Sequence, residues 1–235
     1  MTDNFQTVFI SGANRGIGFE LARQLSRQPF QVIAGYRDES RSQALLREAQ
    51  KTNNLSPFKV DVTSENDLKE LYNFIANRFG ALDILTNNAG VNLNRARSFN
   101  QLEWSDMAHH FDVNVGGAFL ATKCLYPLIK AGRGKKIINI SSKLGSIELS
   151  SGSSIPYSIS KVALNMLTKN QSVEYKAAGI TVISLSPGWV RTDMGGGAAP
   201  LSVEESSTRI LQVIDTLSLS QTGQFMDLNG DILPY

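Results

Sequence analysis

A chain of 235 residues with 42% hydrophobic residues is long enough to bury a substantial core, in one large domain or two small ones. Its 23 Lys+Arg stand against 21 Asp+Glu, a balance that argues against a nucleic-acid or membrane-surface partner and points to small molecules or protein. A single cysteine, Cys124 in "FLATKCLYPLI", excludes an internal disulfide framework and reads as a small residue of an apolar helix.

The opening "MTDNFQTVFISG" passes from a short polar start into a strand without the regions of a signal peptide, and no apolar run approaches the ~20 residues that span a bilayer. The expectation is a cytoplasmic protein. "TVFIS" is the first of seven strand-like runs, followed by "QVIAG", "PFKVDV", "LDILTNN", "KIINISS", "TVISLSPG" and "QFMDL". Between them lie helical patterns: Ile17, Leu21, Ala22 and Leu25; then Leu68, Leu71, Tyr72 and Ile75 ending at Gly80; then Phe111 through Ile129. Strands apolar on both faces and separated by helices predict a doubly wound α/β fold with a seven-stranded parallel sheet. No linker, low-complexity tract or repeat divides the chain, so residues 1–235 read as one domain. The least regular parts, residues 91 to 103, 143 to 156 and 191 to 202, follow strands and would gather beyond the strands' carboxyl ends, where such sheets bind ligands.

After the first strand comes "SGANRGIG", with Gly12, Gly16 and Gly18 spaced GxxxGxG before a helix. Such glycines let the backbone approach a pyrophosphate that the helix N-terminus then holds, although a Gly-rich turn can also serve tight packing alone. At the end of the second strand, "VIAGYRDES" places Tyr36 where a dinucleotide site specific for NAD would carry a carboxylate for the ribose 2′-OH; Arg37 follows it. Arg15 adds a second guanidinium from the glycine turn, and two of them suit a 2′-phosphate, unless both are ordinary solvated arginines. A register slip of two residues would put Asp38 at the ribose instead and favour NAD.

In "SSIPYSISKVALN", Tyr157 and Lys161 sit four apart at a helix start, on one face. Alone that is an ordinary wet helix surface; after the strand end "NISS" with Ser142, and behind a dinucleotide turn, several levels agree on a site. Asn114 stands in the middle of an apolar helix just before Gly116 and Gly117, unfavourable by propensity, which suggests that something other than helix stability placed it. His109 and His110 have no Cys, Asp or Glu at metal-ligand spacing and read as surface or core side chains; no metal is expected.

"SGANRGIG", "NNAG" at 87 to 90, Asn114 in "FDVNV", Ser142, "YSISK" and "SPGWVRTD" occur in the order found in short-chain dehydrogenases/reductases, and the resemblance covers essentially the whole chain. "PGWVRTDMGG" and "TGQFMDLNGDILPY" look most like the C-factor and carbonyl-reductase-like branch.

The resemblance implies a Rossmann domain binding NADP(H) through Gly12, Asn14, Arg15, Gly16, Ile17 and Gly18; through Tyr36, Arg37, Asp61 and Val62; through Asn88, Ala89 and Gly90; and through Pro187, Gly188, Val190 and Thr192, besides Tyr157 and Lys161. Asp61 is alternatively a cap for a helix starting near Thr63.

It also implies carbonyl reduction or alcohol oxidation on a small molecule, with Tyr157 as proton donor and Lys161 lowering its pKa and holding the nicotinamide ribose. Ser142 would orient the substrate oxygen, and Asn114 would hold a water on the proton path. Ser142 and Tyr157 are 15 residues apart, longer than in the commonest members; Ser141 and Ser146 are alternatives, and the extra residues fall in "KLGSIELSSGSSIP".

Leu93, Leu144, Ile147, Ile155, Trp189 and Met194 suggest an apolar substrate wall, and Gly195 to Gly197 a mobile lid. Ser202 and Glu205 have capping-box spacing for a further helix. Relatives commonly pair the helices carrying Asn114 and Tyr157, which implies a homodimer or homotetramer. The competing function is a dinucleotide-binding signalling or regulatory protein of C-factor type with vestigial catalysis.

Overall fold

The computed structural model describes residues 5–235. All seven apolar runs form strands: β1 Gln6–Ile10, β2 Phe30–Tyr36, β3 Leu55–Lys59, β4 Ile84–Asn87, β5 Lys136–Ile140, β6 Thr181–Leu185 and β7 Phe225–Met226. They pair in parallel in the order β3-β2-β1-β4-β5-β6-β7. Parallel neighbours need helical crossovers, and these bury both faces of the sheet. Helices α1 Gly16–Leu25, α2 Gln43–Ala49 and α7 Val203–Thr216 cover one face, through Leu21, Leu25, Leu45 and Ile210. On the other lie α3 Glu65–Phe79 and α5 Gly117–Ala131, through Leu68, Leu71, Ile75, Leu125 and Ile129. Beside α5 runs α6 Ile155–Tyr175, tied to it by stacking of Tyr126 on Tyr175 at 4.7 Å between ring centres.

Local signals set the helix ends. Ser64 accepts from Asp67 N at 3.2 Å and opens α3, which closes at Gly80 in the left-handed region. Ser202 and Glu205 form the expected reciprocal capping box of α7, at 3.1 and 2.8 Å. Cys124 is half-buried, its thiol pushed up by burial and donating to Leu68 O.

Two features differ from the sequence reading. The helix expected from Phe111 to Ile129 begins earlier, as α4 Trp104–Phe111, and passes through a π-helical turn, Asp112–Gly116, before continuing as α5. A π turn inserts one extra residue and marks places where helix regularity yields to another demand. Helix α2 went unread because it buries only Leu45 and Glu48, too little to show a period.

The strand order reverses between β1 and β4, and the loop regions 91–103, 143–154 and 191–202 gather at the carboxyl ends around that point. Among the described residues no helix is long and apolar enough to cross a membrane.

Candidate active site

At the reversal point lies a cleft of about 310 Å³. The glycine turn forms its floor: Gly12, Asn14, Arg15, Gly16, Ile17 and Gly18 all line it. Gly12 has φ +64° and a Cβ there would stand 2.9 Å from Ala89 Cα; at Gly18 a Cβ would meet Gly12 O at 2.6 Å. Side chains at these two positions would collide with the protein's own backbone, so both glycines are required by the close packing of the turn against the β4 exit, which leaves backbone lining the cleft floor.

Ser11, not singled out in the sequence, holds the turn against the β4 exit: its Oγ accepts from Asn88 N and Ala89 N, both at 3.0 Å. Asn88 returns the contact by donating to Ser11 O and Gly12 O at 2.9 and 3.1 Å. Asn88, Ala89, Gly90, Val62, Pro187 and Thr192 line the cleft as well. The floor and its backbone thus fit a dinucleotide.

At the adenosine end Arg15 and Arg37 reach the same cleft, together with Arg41, which the sequence reading passed over. Each guanidinium faces a carboxylate: Arg15 Nη1 is 2.6 Å from Asp193, Arg37 Nη1 is 3.8 Å from Asp61, and Arg41 Nε is 3.8 Å from Asp38. Asp38 also lines the cleft, but its Oδ1 accepts from Ser40 N and Oγ at 2.9 and 2.6 Å, holding its carboxyl below the usual range. That carboxylate is bound to its own turn. Asp61 is not a helix cap: it accepts from Thr63 N and Oγ1, while Ser64 caps α3.

Tyr36 ends β2 and packs on the core without lining the cleft. Gly188 and Val190 also lie off the lining. A Cβ on Gly188 would meet Leu201, and Val190 is buried in a bridge with Leu201, so both shape the segment that carries Thr192 and Met194 to the cleft.

Tyr157 and Lys161, on the first two turns of α6, form the opposite wall. Both are buried, at 9% and 4% exposure. Burial pushes the Tyr157 phenol up to about 12, against the lowering effects of a Ser142 hydrogen bond and the Arg95 charge. Burial likewise brings the Lys161 ammonium down to about 7. Lys161 Nζ donates to Ile140 O at 2.7 Å and stands 5.5 Å from the tyrosine ring centre, and the groups that lower the phenol here are Ser142 and Arg95.

The serine alternatives separate by their partners. Ser141 Oγ donates to Asn165 Oδ1 at 2.7 Å, and Ser146 Oγ accepts from Leu149 N at 3.1 Å. Ser142 Oγ accepts from Leu144 N at 3.2 Å and is the serine whose hydroxyl acts on the Tyr157 phenol, lowering it against burial. The extra length before Tyr157 loops out beyond Ser146, re-entering α6 through Ser154 at φ +49°. Buried bonds from the sheet seat α6: Asn139 Nδ2 to Thr168 Oγ1 at 2.8 Å and Asn165 Nδ2 to Gly145 O at 2.9 Å.

Asn114 lies in the π turn beneath the cleft and is 1% exposed. Its Nδ2 donates to Val91 O and Ser160 Oγ at 3.0 and 2.8 Å, and its Oδ1 accepts from Val91 N at 2.7 Å. Both amide hydrogens are used within the protein, so the side chain clamps Val91 and has no hydrogen left to donate to a water.

Of the apolar wall residues expected, Met194 lines the cleft, while Leu93, Ile147 and Trp189 are off its lining and 49%, 69% and 57% exposed. The lid segment is latched at successive residues: Asp193 by Arg15, Met194 O by Arg95, and Gly195 O by the Trp189 indole at 2.8 Å.

Comparison with known proteins agrees with this geometry. The solved structure of the carbonyl reductase Sniffer of D. melanogaster superposes with a TM-score of 0.93 at 32% identity, covering 99% of this chain and all of that one. The NADPH-bound carbonyl reductase from chicken fatty liver gives 0.91 at 32% identity, over 98% of this chain and 99% of that one. C-signal of Myxococcus xanthus is 34% identical over 157 residues, 66% of this chain and 94% of that protein. The family model for short chain dehydrogenases matches residues 6–200, and the chain belongs to that family of oxidoreductases.

Proposed function

We propose that the protein reduces an aldehyde or ketone to the corresponding alcohol with NADPH. The observation that carries this reading is a buried Tyr157, beside Lys161 and near enough to Ser142 to feel its hydroxyl, on the wall of a cleft floored by a glycine turn.

The cofactor, when bound, supplies a hydride to the carbonyl carbon. The protein supplies the rest. Tyr157, held near 12, is fully protonated at neutral pH and is therefore an acid poised to give its proton to the developing alkoxide. Ser142 receives Leu144 N–H, which leaves its own hydrogen to point toward the Tyr157 phenol or a substrate oxygen placed beside it. Lys161, near 7, exchanges a proton readily at neutral pH and suits the resupply of the tyrosine.

Arg15, Arg37 and Arg41 converging at the adenosine end support NADPH over NADH, as do the paired state of Asp38 and the NADPH-bound relative. Three assembled catalytic side chains give no support to a vestigial, purely regulatory site. Ile159, Met166 and Val173, exposed and seven apart on α6, support a homodimer or homotetramer built on that helix.

Tyr157→Phe should retain NADPH binding, followed by cofactor fluorescence, and lose roughly 10²- to 10⁴-fold in kcat; undiminished turnover would remove the tyrosine mechanism. For the cofactor, Arg37→Ala should lose preference for NADPH over NADH, and an unchanged preference would exclude Arg37 as the phosphate contact.

A further inference from the structure

The segment Val91–Asn94, which leaves β4 over the cleft, is laid along a row of side chains on the helix beneath it. Asp106, His110 and Asn114 are four residues apart, all buried, and each clamps it. Asp106 accepts from Asn94 Nδ2, His110 Nε2 accepts from Leu93 N at 3.1 Å, and Asn114 grips Val91 N and O. Between Asn114 and His110 the spacing matches, since four helical residues rise about 6 Å, close to the ~6.6 Å of two extended residues from Val91 to Leu93, whereas Asp106 is reached by the side chain of the next residue, Asn94.

Only one protonation state of His110 makes this contact. Its Nε2 accepts Leu93 N–H, so the ring proton sits on Nδ1, which donates to Asp106 O at 2.6 Å. A second ring proton would set Nε2–H against Leu93 N–H, turning an attraction into a repulsion in a site with 1% exposure. The neighbouring charges do not replace the lost contact. Asp106 is already bound to Arg97 at 2.9 Å and to Glu103 N at 3.0 Å; Lys161 of α6 lies past Asn114, beside Gly90; Glu103, His109 and Asp112 of the same helix stretch point to solvent.

We propose that His110 is a pH-sensitive positioning residue: neutral, it fixes the loop that runs on through Leu93 from Val91 of the cleft wall, and protonated, it releases that loop. The release is set by the second proton on the ring, which Nε2 can take only by giving up Leu93 N–H. Asn114 keeps Val91 throughout, so the cofactor side of the cleft stays formed. The link to substrate rests on the carbonyl-reductase reading; the clamp itself does not.

Two measurements therefore separate them. On the wild-type protein, long-range ¹H–¹⁵N spectra should show the Nδ1–H tautomer of His110 at pH 7.5. Hydrogen exchange at Leu93, corrected for its intrinsic pH dependence, should accelerate about tenfold or more by pH 5.5, with Val91 protected. An Nε2–H tautomer, or protection at Leu93 that does not change as the ring titrates, overturns the proposal whatever the enzyme acts on. With NADPH and an aromatic aldehyde as probe, KM should rise about tenfold over the same interval while NADPH affinity holds. His110→Gln, which retains an acceptor at every pH, should abolish the KM rise; its persistence in that variant would assign the pH dependence to another group. Failure to reduce any carbonyl compound would count against the proposed function and leave the exchange result to decide the clamp.

Discussion

Tyr157 and Lys161 are buried in opposite senses of charge, and this gives the fold a pH signature. Lys161 falls from 10.5 to about 7 on folding. Between those values the unfolded chain carries a proton that the folded one lacks, so stability rises with pH across that window. Tyr157 rises from 10.0 to about 12, so above pH 10 the unfolded chain ionises first and stability is lost again. Each group contributes a slope of at most about 1.4 kcal/mol per pH unit, and of this pair only Lys161 acts in the neutral to mildly alkaline range, where Lys136, lowered by burial, adds the same sign and Cys124, raised by burial, the opposite. Urea midpoints of the wild type should therefore climb from pH 7 to 9. Lys161→Met, which removes the buried ammonium, should be nearly flat there and more stable than wild type at pH 6 while inactive. Equal slopes in the two proteins would show that Lys161 is not the group being desolvated. The same residue thus costs stability and serves chemistry, a trade found where sites hold charge in dry places.

At the scale of elements, the reaction depends on how firmly the strand-end turn of Ser142 is held against α6. Asn165 does this at both ends, accepting from Ser141 Oγ and donating to Gly145 O, and at Gly145 the turn runs so close to α6 that a Cβ would lie 2.9 Å from Lys161 Cβ. Asn165→Ala leaves both buried partners unpaired, and a loss of about 1–3 kcal/mol in stability is expected, measured by denaturant unfolding. The fall in kcat should exceed the change in NADPH affinity, because the loosened turn carries the serine and not the cofactor; an unaltered kcat would show that Ser142 is held by other means.

These supports explain what the sequence could and could not reveal. Most of the strands were legible because each is a short apolar run buried on both faces, the edge strand β3 being largely half-buried, and Tyr157 and Lys161 because four-residue spacing fixes a helix face. Asn114 stood out as a polar residue in an apolar helix, but the π turn that holds it leaves no periodic mark. His110 read as a surface or core side chain and is core; that its ring also binds Leu93 N depends on a loop whose path no local pattern sets. Arg41 and Ser11 were missed because a solvated arginine and a strand-end serine are commonplace until the chain folds them onto the cleft.

For the molecule as a whole, the cleft is closed by contacts between distant parts of the chain, and its outer helices present apolar side chains to solvent. The Arg15–Asp193 pair joins the glycine turn to the lid and is exposed on both sides, so its own contribution is small, at most about 1 kcal/mol. It nevertheless occupies a guanidinium that the proposed NADPH phosphate needs. Asp193→Ala should tighten NADPH up to about fivefold, read by fluorescence titration at low salt, and leave NADH unchanged; equal effects on both would mean that the lid, and not Arg15, was released.

The outer surface makes a larger demand. Ile159, Met166 and Val173 are 40%, 61% and 72% exposed at seven-residue steps along α6, a stripe on one helix face. Phe119 on the adjacent α5 is 46% exposed beside them in the same layer. An apolar stripe of this kind favours burial against its own copy across a twofold axis, where each protomer offers the same patch. Sedimentation equilibrium should accordingly show a dimer or tetramer, and Met166→Glu, which sets two carboxylates near the axis without touching the cleft, should weaken association by a hundredfold or more. A wild type that sediments as a monomer at micromolar concentration would refute the assembly and leave the stripe to another partner. Because the opposite side of α6 carries Tyr157 and Lys161, a monomeric Met166→Glu that retains NADPH binding but loses turnover would show that the interface steadies the catalytic face.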